Sequence, residues 1–119
     1  MAEESRLVDI YTHLVDKGFD VYFPTQKTGE CTGPYLVVKD SGTTQYQDFS
    51  STLTIFEVLC YVPQNNYSRL QTYMEEVKEA MKELESMIRP MHYQSAPFYD
   101  SVVNAHMSTI QYKNFRKIN

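Results

Sequence analysis

The sequence predicts an α+β domain: a mostly antiparallel sheet of four to five strands with two helices packed on one face, in the order α-β-β-β-β-α-β. Three observations carry this. The run "TLTIFEVLCYVPQ" (Thr52 to Gln64) is apolar at both alternations of a strand. A helical stripe, Leu70, Tyr73, Met74, Val77, Met81, Leu84 and Ile88, follows it with charge on the opposite side. The remaining strand-like runs stand consecutively before that helix, and one more follows it.

Leu7, Ile10, Tyr11, Leu14 and Val15 recur at helical spacing, with Ser5 as a candidate cap and Gly18 as the stop, which predicts a helix over 5–17. "FDVYFP" (Phe19 to Pro24) is a short strand closed by proline. "TQKTGECTG" (Thr25 to Gly33) has two glycines and no large apolar group, so it is a loop. "PYLVVKD" (Pro34 to Asp40) is the second strand. "SGTT" is expected to turn it into a third, "TQYQDFSS" (Thr44 to Ser51). In the fourth strand, Phe56, Val58, Cys60 and Val62 point one way. Leu53, Ile55, Leu59 and Tyr61 point the other way, with Glu57 among them. A strand apolar on both faces belongs inside a sheet. The charge at Glu57 predicts that its face is covered incompletely, or by another subunit.

The second helix is expected over 67–88, capped by Asn66 or Ser68 and ended by Pro90. Glu75–Glu79, Lys78–Lys82 and Glu79–Glu83 are like-charged at i,i+4, so this helix must rely on tertiary packing. "MHYQSAPFYDS" is expected to be irregular, and "VVNAHMSTIQYKNF" (Val102 to Phe115) to be the last strand.

With 119 residues the chain fits one domain over 1–119, large enough for a core without metal or disulfide staples. The net charge is −4, and it is uneven: the last nineteen residues hold Lys113, Arg116 and Lys117 and no acid. That acidity argues against wrapping nucleic acid, which needs a broad basic face. No apolar run approaches the roughly 18 residues of a membrane span. The opening "MAEESRLVD" does not resemble an export signal, so Cys31 and Cys60 are expected to be reduced thiols, with pairing between them left open. Ten Tyr and six Phe suit strands first and contact surfaces second.

Catalytic chemistry finds little footing. His13, His92 and His106 lack metal-ligand spacing, and no Gly-rich phosphate loop is present. Neither Cys stands beside an activating group. The expectation is a non-enzyme with no cofactor and no metal.

The order and texture of the chain resemble the tail terminator (tail completion) proteins of long-tailed bacteriophages, the family of the λ-type terminators and the siphophage tail-to-head joining proteins. The resemblance lies in the opening helix "SRLVDIYTHLVDKG", the extended "VYFP", the strand "PYLVVKD", the polar "YQDFS", the long strand "FEVLCYVP" ending in a VP dipeptide, the acidic amphipathic helix and the closing "MSTIQY". It spans roughly residues 5–115; the basic ending "NFRKIN" has no counterpart in that pattern. The resemblance implies a structural virion protein. It would form a hexameric ring on the head-proximal end of the tail tube, stop tube polymerisation and offer a surface to the head. Implied partners are further copies of itself, the tail tube protein and a head connector or stopper protein. The implied location is the head–tail junction of the virion, reached through the host cytoplasm during assembly. Tyr46, Asp48, Phe49, Glu57, Arg116 and Lys117 are then the expected subunit or tube contacts. The alternative is a small dimeric module with an α+β sheet that binds a ligand or peptide without catalysis.

Overall fold

The computed structural model describes residues 2–45, 51–84 and 88–117, with side chains over 7–40, 54–84, 88–91 and 94–114. The chain is α+β, as the sequence predicts. Helix α1 (Ala2–Asp16) leads to strands β1 (Val21–Tyr22), β2 (Tyr35–Gln45) and β3 (Ser51–Pro63). A six-residue 3-10 segment (Gln64–Arg69), kinked at Asn66, feeds helix α2 (Leu70–Met81). Strands β4 (Arg89–Gln94), β5 (Phe98–Asp100) and β6 (Ala105–Lys117) complete the fold. The sheet order is β1-β2-β3-β6-β4, and β5 pairs with β6 on the same edge as β4. Among the described residues only β1 and β2 run parallel; the other paired strands are antiparallel.

Helix α1 stops where glycine permits. Gly18 takes φ 95°, and its N–H reaches Val15 O at 3.0 Å while Phe19 N–H reaches Leu14 O at 3.1 Å. This is the Schellman closure, which satisfies carbonyls that would otherwise be orphaned. The helix begins earlier than predicted, at Ala2, so Ser5 lies inside it rather than capping it. Ile10 and Leu14 are fully buried and Leu7 and Tyr11 partly so, but Val15, expected on the same stripe, is 43% exposed.

Phe56, Val58, Cys60 and Val62 are all fully buried on the helix-bearing face of the sheet. They meet Leu36 and Val38 of β2, Ile110 and Tyr112 of β6, and Leu70, Met74, Val77 and Met81 of α2 in one core. The predicted stripe of α2 thus packs as expected. The α-helix itself is shorter than the predicted 67–88, because 3-10 turns replace its ends over Gln64–Arg69 and Lys82–Leu84. No side-chain cap forms at Arg69; the N–H of Leu70 bonds to Tyr67 O inside the 3-10 segment, so neither Asn66 nor Ser68 is needed.

Two predicted features are corrected. "SGTT" is no turn. β2 runs through it to Gln45, and the pairing shifts between Asp40 and Gly42, leaving Ser41 as an extra residue. A bulge absorbs the small residues while β3 keeps the chain extended beside it. The separate third strand "TQYQDFSS" is therefore absent as such: Thr44 and Gln45 belong to β2, Ser51 belongs to β3, and 46–50 lie outside the described residues. Conversely, "MHYQSAPFYDS" contributes to β4 and contains β5. The long β6 would otherwise have a bare edge, and these segments supply its backbone partners. Both β3 and β4 run antiparallel to β6. The crossover through α2 therefore joins two parallel strands with β6 lying between them.

Tyr73 rests edge-to-face on Phe19, with centroids 5.9 Å apart, and its buried hydroxyl has no partner among the described residues. An unpaired buried hydroxyl is a net cost. Tyr73→Phe is expected to raise stability by about 1 kcal/mol, read from urea unfolding. An equal loss would show that the hydroxyl is satisfied in solution.

Candidate functional site: the sheet faces and edges

The helices cover one face of the sheet. On the other face the strands present Tyr35, Val37 and Lys39 from β2, Ile55, Glu57, Leu59 and Tyr61 from β3, and Met107, Thr109 and Gln111 from β6. The loop after β1 shelters one end of this face. Cys31 N–H bonds to Val103 O at 2.7 Å, and Cys31, Tyr35 and Ala105 form a second small core. Tyr35 stacks on Tyr61 with centroids 4.7 Å apart, and Lys27 lies 5.5 Å over the Tyr35 ring.

Beyond that shelter lies the row Lys39–Glu57–Gln111, neighbours across three strands. Glu57 Oε2 accepts from Gln111 Nε2 at 2.8 Å, and Oε1 lies 3.5 Å from Lys39 Nζ. The Glu57 side chain is 18% exposed, between partly exposed Ile55 and Leu59. The sequence expectation of an incompletely covered face around Glu57 therefore holds for the described residues. A fixed polar row inside an apolar surface contributes little to stability on its own, but it dictates how another surface can lie on it.

Of the other expected contact residues, two have a described backbone position, and it is away from this row. Arg116 and Lys117 lie near the end of β6, opposite Thr52 and Ser51 in the backbone register. Arg116 is five positions from Gln111, about 17 Å along a strand. Tyr46, Asp48 and Phe49 lie outside the described residues, between β2 and β3.

Both cysteines are free and buried. Burial pushes the thiols of Cys31 and Cys60 up from their ordinary value, the opposite of what a nucleophile needs. His13 Nε2 lies 2.8 Å from Ala80 O, tying α1 to α2, and His106 Nε2 lies 3.2 Å from Gln64 O. Between the end of α1 and α2 is an open groove lined by Lys17, Phe19, Glu76, Glu79, Lys82 and Glu83. Lys17 Nζ bonds to Glu83 Oε2 at 2.6 Å and holds that carboxyl below its usual range. Among the described residues, no group of three or more His, Cys, Asp or Glu is arranged to hold a metal. No described helix is long and apolar enough to cross a membrane.

Two surfaces escaped the sequence reading. One is the α1 flank with Val8 and Val15. Its signal was Val8, an apolar residue off the main stripe. The other is around the His106 ring, where Tyr67 of the 3-10 segment and Tyr99 of β5 come together from polar and proline-containing stretches, Tyr99 through the pairing of β5 with β6. No protein-family model matches this chain, and no curated protein matches its sequence.

Proposed function

We propose that the protein is a structural component of a phage virion. It caps the head-proximal end of the tail tube as a hexameric ring, stops tube polymerisation and presents the surface on which the head connector or stopper docks. The observation that carries this reading is the half-open sheet face, with the Lys39–Glu57–Gln111 row set in apolar surroundings. Such a face suits a protein whose work is contact. The resemblance of the sequence to the tail terminator pattern adds to it, and the raised thiols and absence of a metal-ligand cluster among the described residues give no support to a catalytic alternative.

In such a ring the basic end of β6, with Arg116 and Lys117, meets acid on the neighbouring copy: Glu57, Asp48 or the α2 carboxylates. Exposed ion pairs contribute only about 0–1 kcal/mol each, so several must act together. Arg116→Glu with Lys117→Glu is expected to reduce attachment to tail tubes, with the defect largest at low salt, where unscreened charge acts furthest. Tube-length distributions and pull-down on purified tubes measure it. Capping equal to wild type at low and moderate salt would remove these two residues from the interface. A tight dimer with no affinity for tubes would favour the small ligand- or peptide-binding module instead.

A further inference from the structure

β2 presents Tyr35, Val37 and Lys39 on the face away from the helices. Val37 and Lys39 are partly exposed there, but Tyr35 is only 3% exposed. Its cover is the loop of residues 25–33, which lies over this end of the face as a strap. Cys31 of the strap packs with Tyr35 and Ala105, and Tyr22, Val37, Tyr61 and Val103 close around them. Lys27 Nζ lies 5.5 Å from the centre of the Tyr35 ring and 5.7 Å from that of Tyr22. The covered Tyr35 ring stacks on Tyr61 at 4.7 Å, and this pair stands two residues along from the Val37–Leu59 pair.

The strap is thinly tied. Among the described residues one backbone hydrogen bond joins it to the far side of the face, from Cys31 N–H to Val103 O at 2.7 Å. The Cys31 thiol bonds within the strap, to Gly33 O at 3.2 Å. Gln26 closes a local turn on Phe23: its N–H reaches Phe23 O at 3.2 Å, and its Oε1 accepts the Phe23 N–H at 2.9 Å. Thr28, Gly29, Glu30 and Thr32 face solvent. A cation–π contact as near the surface as that of Lys27 is the weak form of the interaction. Segments with so few buried contacts open at far lower cost than core strands.

The closed strap is also strained. Thr25 takes φ 70°, a conformation that β-branched residues rarely adopt. Gly29 takes φ 84°, and a Cβ there would meet nothing within 4 Å, so this glycine serves backbone shape rather than close packing. Strain of the Thr25 kind persists only while surrounding contacts impose it, and it gathers at switch segments.

We propose that residues 25–33 form a hinged cover that lifts while the sheet stays folded, adding the stacked Tyr35–Tyr61 pair to the half-open face. With the strap down, that face offers the Val37–Leu59–Thr109 and Lys39–Glu57–Gln111 rows. With the strap up, an aromatic row joins them, and tyrosine is among the side chains enriched at protein contacts. The cover goes beyond the ring reading and does not depend on it.

Thiol labelling tests it, with Cys31 as the reporter and Cys60 as the internal control. Cys31 is 3% exposed beneath the strap, whereas Cys60 is fully buried in the core. The folded protein is treated with iodoacetamide at mildly alkaline pH, and each thiol is followed by mass spectrometry. Cys31 is expected to react at least about a hundredfold faster than Cys60, at a rate that low urea barely changes. Lys27→Ala loosens the strap and should speed Cys31 about threefold. Thr25→Asn tolerates positive φ, so it relieves the strain and should slow Cys31 about threefold. The backbone amides of Val58 and Cys60 in β3 should stay protected from hydrogen exchange over the same period. Three results would each overturn the proposal: equal rates at Cys31 and Cys60, fast labelling of Cys31 that neither variant changes, or β3 amides exchanging in step with Cys31 labelling. The assay contains no tail tubes, so it reads the strap separately from the tail assignment.

Discussion

Phe56→Ala is expected to destabilise the protein by about 3–5 kcal/mol, the usual cost of emptying an aromatic site in a core. Phe56 is among the largest fully buried side chains, in the middle of β3 on the helix-bearing face. Its register neighbours are Asp40 of β2 and Tyr112 of β6, so strands bound it on both sides while the helices close it from above. Little around it is free to collapse into the void. Domains of this kind hold about 5–15 kcal/mol in total, so the variant should sit near the edge of folding. Leu59→Ala is the control. It removes a smaller, aliphatic side chain from the same strand on the half-open face, where Leu59 is only partly buried, and should cost clearly less than the ~2–5 kcal/mol of a fully buried leucine. Equal shifts of the urea midpoint in the two variants would mean that the two faces are equally covered in solution, and that the open face is already occupied by another copy.

That asymmetry was legible in the sequence because β3 alternates cleanly and one position breaks the pattern. Glu57 on an otherwise apolar strand implied a face without full cover, and the structure has it bound to Gln111 and Lys39 on that face. The α2 stripe and the Gly18 stop were readable for the same reason: local chemistry and tertiary demand agree there. β4 and β5 were not readable. An edge strand needs no two-sided apolar pattern, and its existence depends on the bare edge of β6, forty residues from β3 in the chain but its direct neighbour in the sheet. The bulge at Ser41 failed for a related reason, since Ser-Gly-Thr-Thr is turn chemistry in isolation and strand only when β3 lies alongside. The Tyr67–His106–Tyr99 cluster inherits this, because Tyr99 becomes a neighbour of His106 only after β5 has paired. Val15 marks the limit of a stripe argument: spacing from Tyr11 placed it near the core, yet the helix turns it away from Ile10 and Leu14 toward the outside.

Raising the pH above about 10, the ordinary tyrosine value, is expected to unfold the protein steeply. Burial holds the phenols of Tyr35, Tyr61, Tyr73 and Tyr112 above that value in the folded chain. Over this range the native state keeps protons that the unfolded state gives up. The unfolded state then binds fewer protons, so stability falls as pH rises. The contribution is fully present below pH 10 and is lost as pH climbs toward the folded values. Tyr35 and Tyr112 are 3% and 4% exposed, so neither phenolate finds water without opening the core. Each such group removes about 1.4 kcal/mol per pH unit, which for these two amounts to about 5 kcal/mol by pH 12. Cys60, also buried, acts with the same sign and starts lower, near the ordinary thiol value. Tyr112→Phe separates the contributions, since it deletes one titrating phenol and leaves the thiol in place. Stability measured from pH 9 to 12 should decline less steeply in the variant, with the gap between the two curves opening only above pH 10. Tyrosinate absorbance followed beside circular dichroism supplies the decisive comparison. The buried phenols should ionise only as the fold is lost, and their ionisation with the sheet intact would show that these rings reach water through motions of the native state.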